Sequence, residues 1–286
     1  MVCYLLYTRF MGKTIDKKYK ELIQEIYYNG FEYEDPNRKG VIRKQITSYR
    51  LEHNFKDGFP IIGLKQSYPR SAFNEMLLFM RGKTNIKDFH ELKLFIWDKD
   101  EKNYNKGGDL GRIYPYQIRN FNGYFDQLNF VLERLKKEPH RTKNVVTMWN
   151  PCDMEECALT PCHRDFEFIS DGKNLTVQFT MSSVDSFLGL PMNLMYYSFV
   201  CLVFSHYLGL KPKGIIANLS NVHLYDNSFE AVEELLIREL DNKVVCIVSV
   251  PPEWDNLDDY LNKLNFELNN YVHLGKLNVE MLAYDK

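Results

Sequence analysis

Pro191-Met192-Asn193-Leu194-Met195-Tyr196-Tyr197-Ser198-Phe199-Val200-Cys201-Leu202-Val203-Phe204-Ser205-His206-Tyr207-Leu208 is nearly all apolar, and its reading decides the fold. A helix apolar on every side must be enclosed, so this stretch predicts a buried central helix, with Pro191 suited to its first turn and Gly209 ending it. Before it, Lys143 to Trp149, Arg164 to Ile169 and Leu175 to Phe187 alternate β-branched or aromatic residues with polar ones, the period of half-buried strands. After it, Gly214 to Tyr225 and Lys243 to Val250 read as further strands, and Asn227 is placed to cap a helix from Ser228 to Leu240. Helical spacing marks Thr14 to Tyr28, Arg70 to Arg81 and Tyr124 to Lys136. Strands and helices without βαβ regularity predict an α+β fold.

The chain has 286 residues, 45% of them apolar, enough for a sizeable core. No linker, repeat or low-complexity tract divides it, so one domain over 1–286 is expected, with an N-terminal extension and helix over 1–35 and a divergent C-terminal region over 226–286. The apolar start, Met1 to Met11, is brief and precedes its lysines, the reverse of a signal peptide, and the longest apolar runs are too short to span a bilayer. Six cysteines in a chain this long do not make a disulfide framework, and a reducing cytoplasmic setting is expected. A net charge of -2 argues against broad nucleic-acid binding. Cys152, Cys157 and Cys162 recur every five residues beside His163, but the spacing is not C-x-x-C and no metal is expected. The glycines give neither GxGxxG nor P-loop spacing.

Unusual residues are densest at Ala158-Leu159-Thr160-Pro161-Cys162-His163. A lone cysteine beside a strand is commonly a small buried hydrophobe, and the same plain reading holds for His163. Context changes the balance. Pro161-Cys162-His163 and Phe187-Leu188-Gly189-Leu190-Pro191-Met192-Asn193 stand at the mutual spacing found in thymidylate synthases. Asp57-Gly58-Phe59-Pro60, Arg70-Ser71 with Glu75, Gly82 with Thr84-Asn85, Ile96-Trp97-Asp98, Gly108-Asp109-Leu110-Gly111 with Tyr114, and His223-x-Tyr225 follow in the same order. The chain resembles a divergent member of that family from about Arg38 to Tyr225.

The resemblance implies a large mixed sheet packed with helices, and a homodimer whose sheets meet face to face and so carry apolar residues on their outer faces, the strand at Val145 to Trp149 among them. It implies one-carbon transfer from 5,10-methylenetetrahydrofolate to C5 of a uracil-type nucleotide or nucleoside. The residue types suit that chemistry: a thiolate adding at C6 turns C5 into a carbon nucleophile. By resemblance Cys162 is that nucleophile, Glu75 handles protons at O4, and Tyr114 assists proton loss from C5. Asn193 reads the base, since its amide both donates and accepts as uracil requires. Asp185 holds the pterin of the folate. Trp97, Leu159, Leu188, Gly189 and Met192 line the folate side, with Trp97 favouring reduction to a methyl group. Arg38, Lys143, Ser183, His223 and Tyr225 stand where the family binds the sugar and phosphate.

Departures concentrate at the phosphate. Of four arginines expected, only Arg38 stands in register, and Thr142-Lys143 and Ser182 replace the others. Arg164 is a candidate substitute cation beside Cys162, unless strand alternation turns it away. The chain closes on Val279-Glu280-Met281-Leu282-Ala283-Tyr284-Asp285-Lys286, charged where the family has a short apolar tail over the folate. Two other readings follow: a pyrimidine hydroxymethylase on the same fold, and a dimeric binding protein without turnover.

Overall fold

The computed structural model describes residues 12–36, 38–280 and 282. Expectations resting on Met1 to Met11, including Cys3, and on the last four residues lie outside them. The fold begins with α1 (Ile15–Asn29), whose apolar stripe of Ile15, Tyr19, Leu22, Ile23 and Ile26 is buried. Then come β1 (Phe31–Glu34), β2 (Ile42–Asn54) and α2 (Pro69–Met80). Short helices α3 (Ile86–Glu91), α4 (Asp98–Tyr104) and α5 (Tyr114–Asn120) precede α6 (Gln127–Lys137). Strands β3 (Val145–Thr147), β4 (His163–Ser170), β5 (Asn174–Met181) and β6 (Val184–Asp185) lead into α7 (Gly189–Tyr207) and β7 (Lys211–Tyr225). The chain continues through α8 (Phe229–Ile237), β8 (Val245–Ser249), α9 (Leu257–Asn262) and β9 (Asn265–Asn269).

Among the described residues the main sheet runs β1-β2-β7-β5-β4-β3, with β6 also paired to β7, while β8 and β9 form a separate hairpin sheet. The pairing is mixed: β5 and β6 run parallel to β7, and the other pairs are antiparallel. The parallel return is made by α7, which packs on β5 and β7 and under α2. One row of the inner face, Val146, Phe166, Phe179, Ala217 and Leu51, is in register across five strands and fully buried. Phe179 stacks on Tyr197 of α7 with ring centroids 3.9 Å apart. In α7 only His206 is exposed, as an all-round apolar helix demands.

The outer face departs from expectation. The register row Val145, Glu167, Gln178, Ile216 and Glu52, and the row Thr147, Asp165, Thr180, Asn218 and Arg50, put mostly polar side chains there. Val145 and Ile169 are exposed apolar residues on it, at 42% and 41%, and Trp149, just past β3, is exposed as well, as expected of that stretch. Other corrections are local. The stretch Leu175 to Phe187 breaks after Met181 into β5 and β6, because the chain must turn at Ser182-Ser183. Asn227 does not cap α8: its amide donates to the Glu280 carbonyl at 2.9 Å, Ser228 takes the cap position, and the helix stops at Ile237 rather than Leu240. No helix among the described residues is long and apolar enough to cross a membrane.

Candidate active site

A cavity of about 660 Å³ opens where the C-terminal end of β5, the N-terminus of α7, helix α2 and the segment before α4 meet. This is within the range of small-molecule sites, and its wall is mainly apolar with a few convergent polar groups. Glu75, Trp97, Tyr114, Leu159, Cys162, Ser183, Asp185, Leu188, Gly189, Met192 and Asn193 all line it. These come from six separate stretches of chain, so the fold gathers what the sequence scatters.

Cys162 sits one residue ahead of β4. Its N–H donates to the Tyr114 hydroxyl at 2.8 Å, and its carbonyl accepts from Ser182 at 2.8 Å. Burial pushes the thiol up to about 11, against which the Arg38 and Arg43 guanidiniums and the Tyr114 hydroxyl pull it down. Arg164 does not take part: it is exposed on β4 and absent from the cavity wall.

Glu75 projects from the apolar helix α2 into the deep end. Burial raises its carboxyl to about 7, and the indole N–H of Trp97, donating at 2.9 Å, is the opposing influence. Trp97 in turn is wedged among Phe79, Phe89 and Tyr114 with ring centroids 5.9–6.3 Å away. His163 is held near 4 by burial and is therefore neutral, its Nδ1 2.8 Å from the Tyr197 hydroxyl.

Asp185 ends β6, and its Oδ1 accepts from the N–H groups of Phe187 and Leu188 at 3.0 Å each, which shapes the turn into α7. Burial raises this carboxyl as well. Helix α1 pins both sides of this end: the Tyr19 hydroxyl donates to the Ser186 carbonyl at 2.9 Å, and Asp16 accepts from Gly63 and Leu64 at 2.8 and 3.1 Å. Lys65 follows Leu64 into the cavity wall, its ammonium 4.8 Å from the centre of the Phe187 ring. Burial lowers it to about 8 while Asp185 opposes the shift. Asn193, one turn into α7, has its amide nitrogen 3.5 Å from the Met181 sulfur. A Cβ on Gly189 would meet only ordinary contacts at 3.7 and 3.9 Å, so any need for glycine there would come from a ligand.

The remaining expected residues lie outside the cavity wall. Arg38 and Arg43 are buried at 6% and 8% exposure and share the carboxylate of Asp35, at 3.4 and 2.8 Å. Both donate to the Tyr225 hydroxyl, at 2.7 and 2.9 Å. Arg38 also reaches the Leu282 carbonyl at 3.4 Å, which sets Leu282 beside this cluster. The His223 ring packs at 4.9 Å from that of Tyr225 and is tied through Nδ1 to the Asn221 carbonyl. Asn221, in the left-handed region at φ 50°, donates to the Ser182 carbonyl at 2.7 Å. The cluster thus abuts the Cys162 end through Ser182. Lys143 is exposed ahead of β3, its carbonyl taken by Arg134, and does not approach the cavity within the protomer.

Sequence reasoning missed Lys65, Arg43, Tyr196 and Tyr197. A lone lysine after the apolar Ile61-Ile62-Gly63-Leu64 was a usable sign of the first. An arginine on the buried side of a strand had none, because neighbouring charges on β2 are solvated.

A buried thiol, a carboxyl raised to near neutrality and a side-chain amide meet around one mainly apolar cavity, the arrangement of a candidate active site. The family model described as "Thymidylate synthase" matches residues 17–283, nearly the whole chain, and the chain belongs to that family. Its general chemistry is therefore folate-dependent transfer of a methyl or hydroxymethyl group. The observed wall fits a folate: Trp97, Leu188 and Met192 offer flat apolar contact, and the buried Asp185 carboxyl offers a polar group at one end.

Proposed function

We propose that this protein transfers a one-carbon unit to C5 of a uracil-type nucleotide or nucleoside by reductive methylation through a Cys162 adduct at C6. The observation that carries the reading is the convergence of Cys162, Glu75, Tyr114 and Asn193 on one apolar cavity whose other end holds Asp185. 5,10-Methylenetetrahydrofolate, when bound beside Trp97, Asp185, Leu188, Gly189 and Met192, supplies the carbon and the hydride.

The geometry supports the following roles. Asn193 orients the ring by donating to O4 and accepting from N3–H. Cys162 sulfur bonds to C6, the C5–C6 electron pair moves toward O4, and Glu75 supplies the proton that O4 gains. A carboxyl near 7 both holds and releases a proton at neutral pH. After C5 has bonded to the one-carbon group, the C5 proton leaves with Tyr114 assisting as that carbon's bond to the folate nitrogen breaks, and hydride arriving at the carbon expels the Cys162 sulfur and restores the ring. Tyr114 also fixes the Cys162 backbone, so nucleophile and proton acceptor are mutually positioned. Arg38, Ser183, His223 and Tyr225 are assigned to the sugar end of the acceptor, and Lys143 to the same end from a second copy in a homodimer.

The test is incubation with methylenetetrahydrofolate and a panel of uracil and cytosine nucleosides and nucleotides, following dihydrofolate absorbance and product mass together. A methylated uracil product with dihydrofolate is expected, and Cys162→Ala abolishes it. A hydroxymethyl product without dihydrofolate would overturn the reductive step, and absence of any product would overturn the enzymatic reading.

A further inference from the structure

Tyr196 carries a hydroxyl with no hydrogen-bond partner, although the residue is only 3% exposed and lines the cavity. Its two tyrosine neighbours in the same wall are engaged, Tyr114 with the Cys162 N–H and Tyr197 with His163. Leaving a buried hydroxyl unpaired costs about 1–3 kcal/mol, and such groups call for an explanation in what the site does. Tyr196 lies one helical turn beyond Asn193, on the same side of α7. Its ring meets Phe79 of α2 edge-on at 5.7 Å, one turn from Glu75. The carboxylate of Glu75 acts on this hydroxyl through its charge, while its own hydrogen-bond donor is the Trp97 indole.

We propose that Tyr196 is a positioning residue for Glu75: its hydroxyl is a donor held in reserve that turns to the carboxylate when Glu75 gives up its proton. The inference rests on the reading of Glu75 as the proton-handling group of the site. The following groups on the elements around Glu75 have partners of their own. Tyr114 of α5 is bonded to the Cys162 N–H, and His163 at the head of β4 to the Tyr197 hydroxyl. Asp88 and His90 of α3 pair with Lys83 and Asp98. On α9, Asp258 and Asp259 pair with Arg119 and Lys263, and Tyr260 donates to Val203. Lys93 lies in the same cavity wall, while the shift of Glu75 comes from burial and Trp97.

Protonated, Glu75 needs only the Trp97 bond. Ionised, it calls for a second donor, and in this wall the Tyr196 hydroxyl is buried without a partner. The charged form is thereby stabilised at the moment O4 takes the proton, and the resting form is left unchanged.

Tyr196→Phe removes the oxygen and keeps the ring. Carbon-13 carboxyl NMR of glutamate-labelled protein, with the Glu75 resonance assigned by Glu75→Gln, reads the titration directly and without turnover. The variant is expected to titrate about one unit higher at Glu75, the size of one charge-assisted hydrogen bond, with a melting temperature equal to or above that of the parent. An unchanged Glu75 titration would overturn the inference. So would a lower melting temperature, because it would mean that the hydroxyl already has a partner. Failure of every acceptor in the turnover panel would instead count against the proposed reaction, whatever the titration gives.

Discussion

The Cys162 N–H and the Tyr114 hydroxyl are 2.8 Å apart, joining the strand that carries the thiol to the helix that carries the phenol. Tyr114 is buried at 3% exposure, and its oxygen is the acceptor for the Cys162 N–H. Tyr114→Phe is expected to destabilise the protein by about 1–3 kcal/mol, the cost of an orphaned buried N–H, and to slow turnover at least about tenfold. Thermal melting and steady-state rates on the same samples check both parts; a loss of turnover without a loss of stability would separate the two roles.

Cys162 is held well above the ordinary thiol range, near 11, chiefly by burial. Its alkylation by iodoacetamide is therefore expected to rise about tenfold per pH unit from 7 to 10, following the thiolate fraction. Arg43→Gln removes a cation that pulls the thiol down and should slow alkylation at a fixed pH of 8. Rates that level off below pH 9 would contradict this.

For Glu75 the folded protein holds its proton to about pH 7, whereas the unfolded chain releases it near 4.5. The stability this contributes is complete below the unfolded value and is lost as pH rises through 7. Glu75→Gln, which does not ionise, should thus be more stable than the parent at pH 8, by up to on the order of 3 kcal/mol, and nearly equal to it at pH 4.5. Urea midpoints at the two pH values test the sign.

Asp35 is the carboxylate common to two buried guanidiniums. Asp35→Asn takes the charge out and leaves both cations in place, with an expected loss of roughly 3–5 kcal/mol. A variant that melts within a degree or two of the parent would show that solvent reaches the cluster.

Asn193 both donates and accepts, and aspartate only accepts when ionised. Asn193→Asp is expected to move acceptor preference from uracil toward cytosine by at least about tenfold, read as the ratio of kcat/KM for the two bases.

Long periodic elements were legible in the chain: α1, α2 and α7 begin and end within two residues of their expected bounds. Their apolar residues repeat over enough turns to outweigh local noise. By contrast α3, α4, α5 and α9 are six or seven residues each, two turns at most, too short for a period to show. Strand β2 escaped because its exposed middle, Thr47 and Ser48, interrupts the alternation. The site divides in the same way. Cys162, Glu75 and Asn193 stand out against apolar neighbours, and the fold does bring them to one cavity. Tyr196 could not stand out, because a tyrosine in an apolar helix looks like packing until its hydroxyl is seen to lack a partner.

Helix α7 also bears on how the protein is made. Apart from His206 it has no exposed side and no polar face to show to water, so before the sheet surrounds it the segment is an aggregation hazard. Its immediate shelter, β5 and β7, lies shortly before and directly after it in the chain, so emergence from the ribosome as far as Tyr225 is enough to enclose it on the sheet side. Nascent chains stalled between Tyr207 and Lys211 would present nineteen residues of almost unbroken hydrocarbon and attract chaperones, whereas chains released past β7 would not.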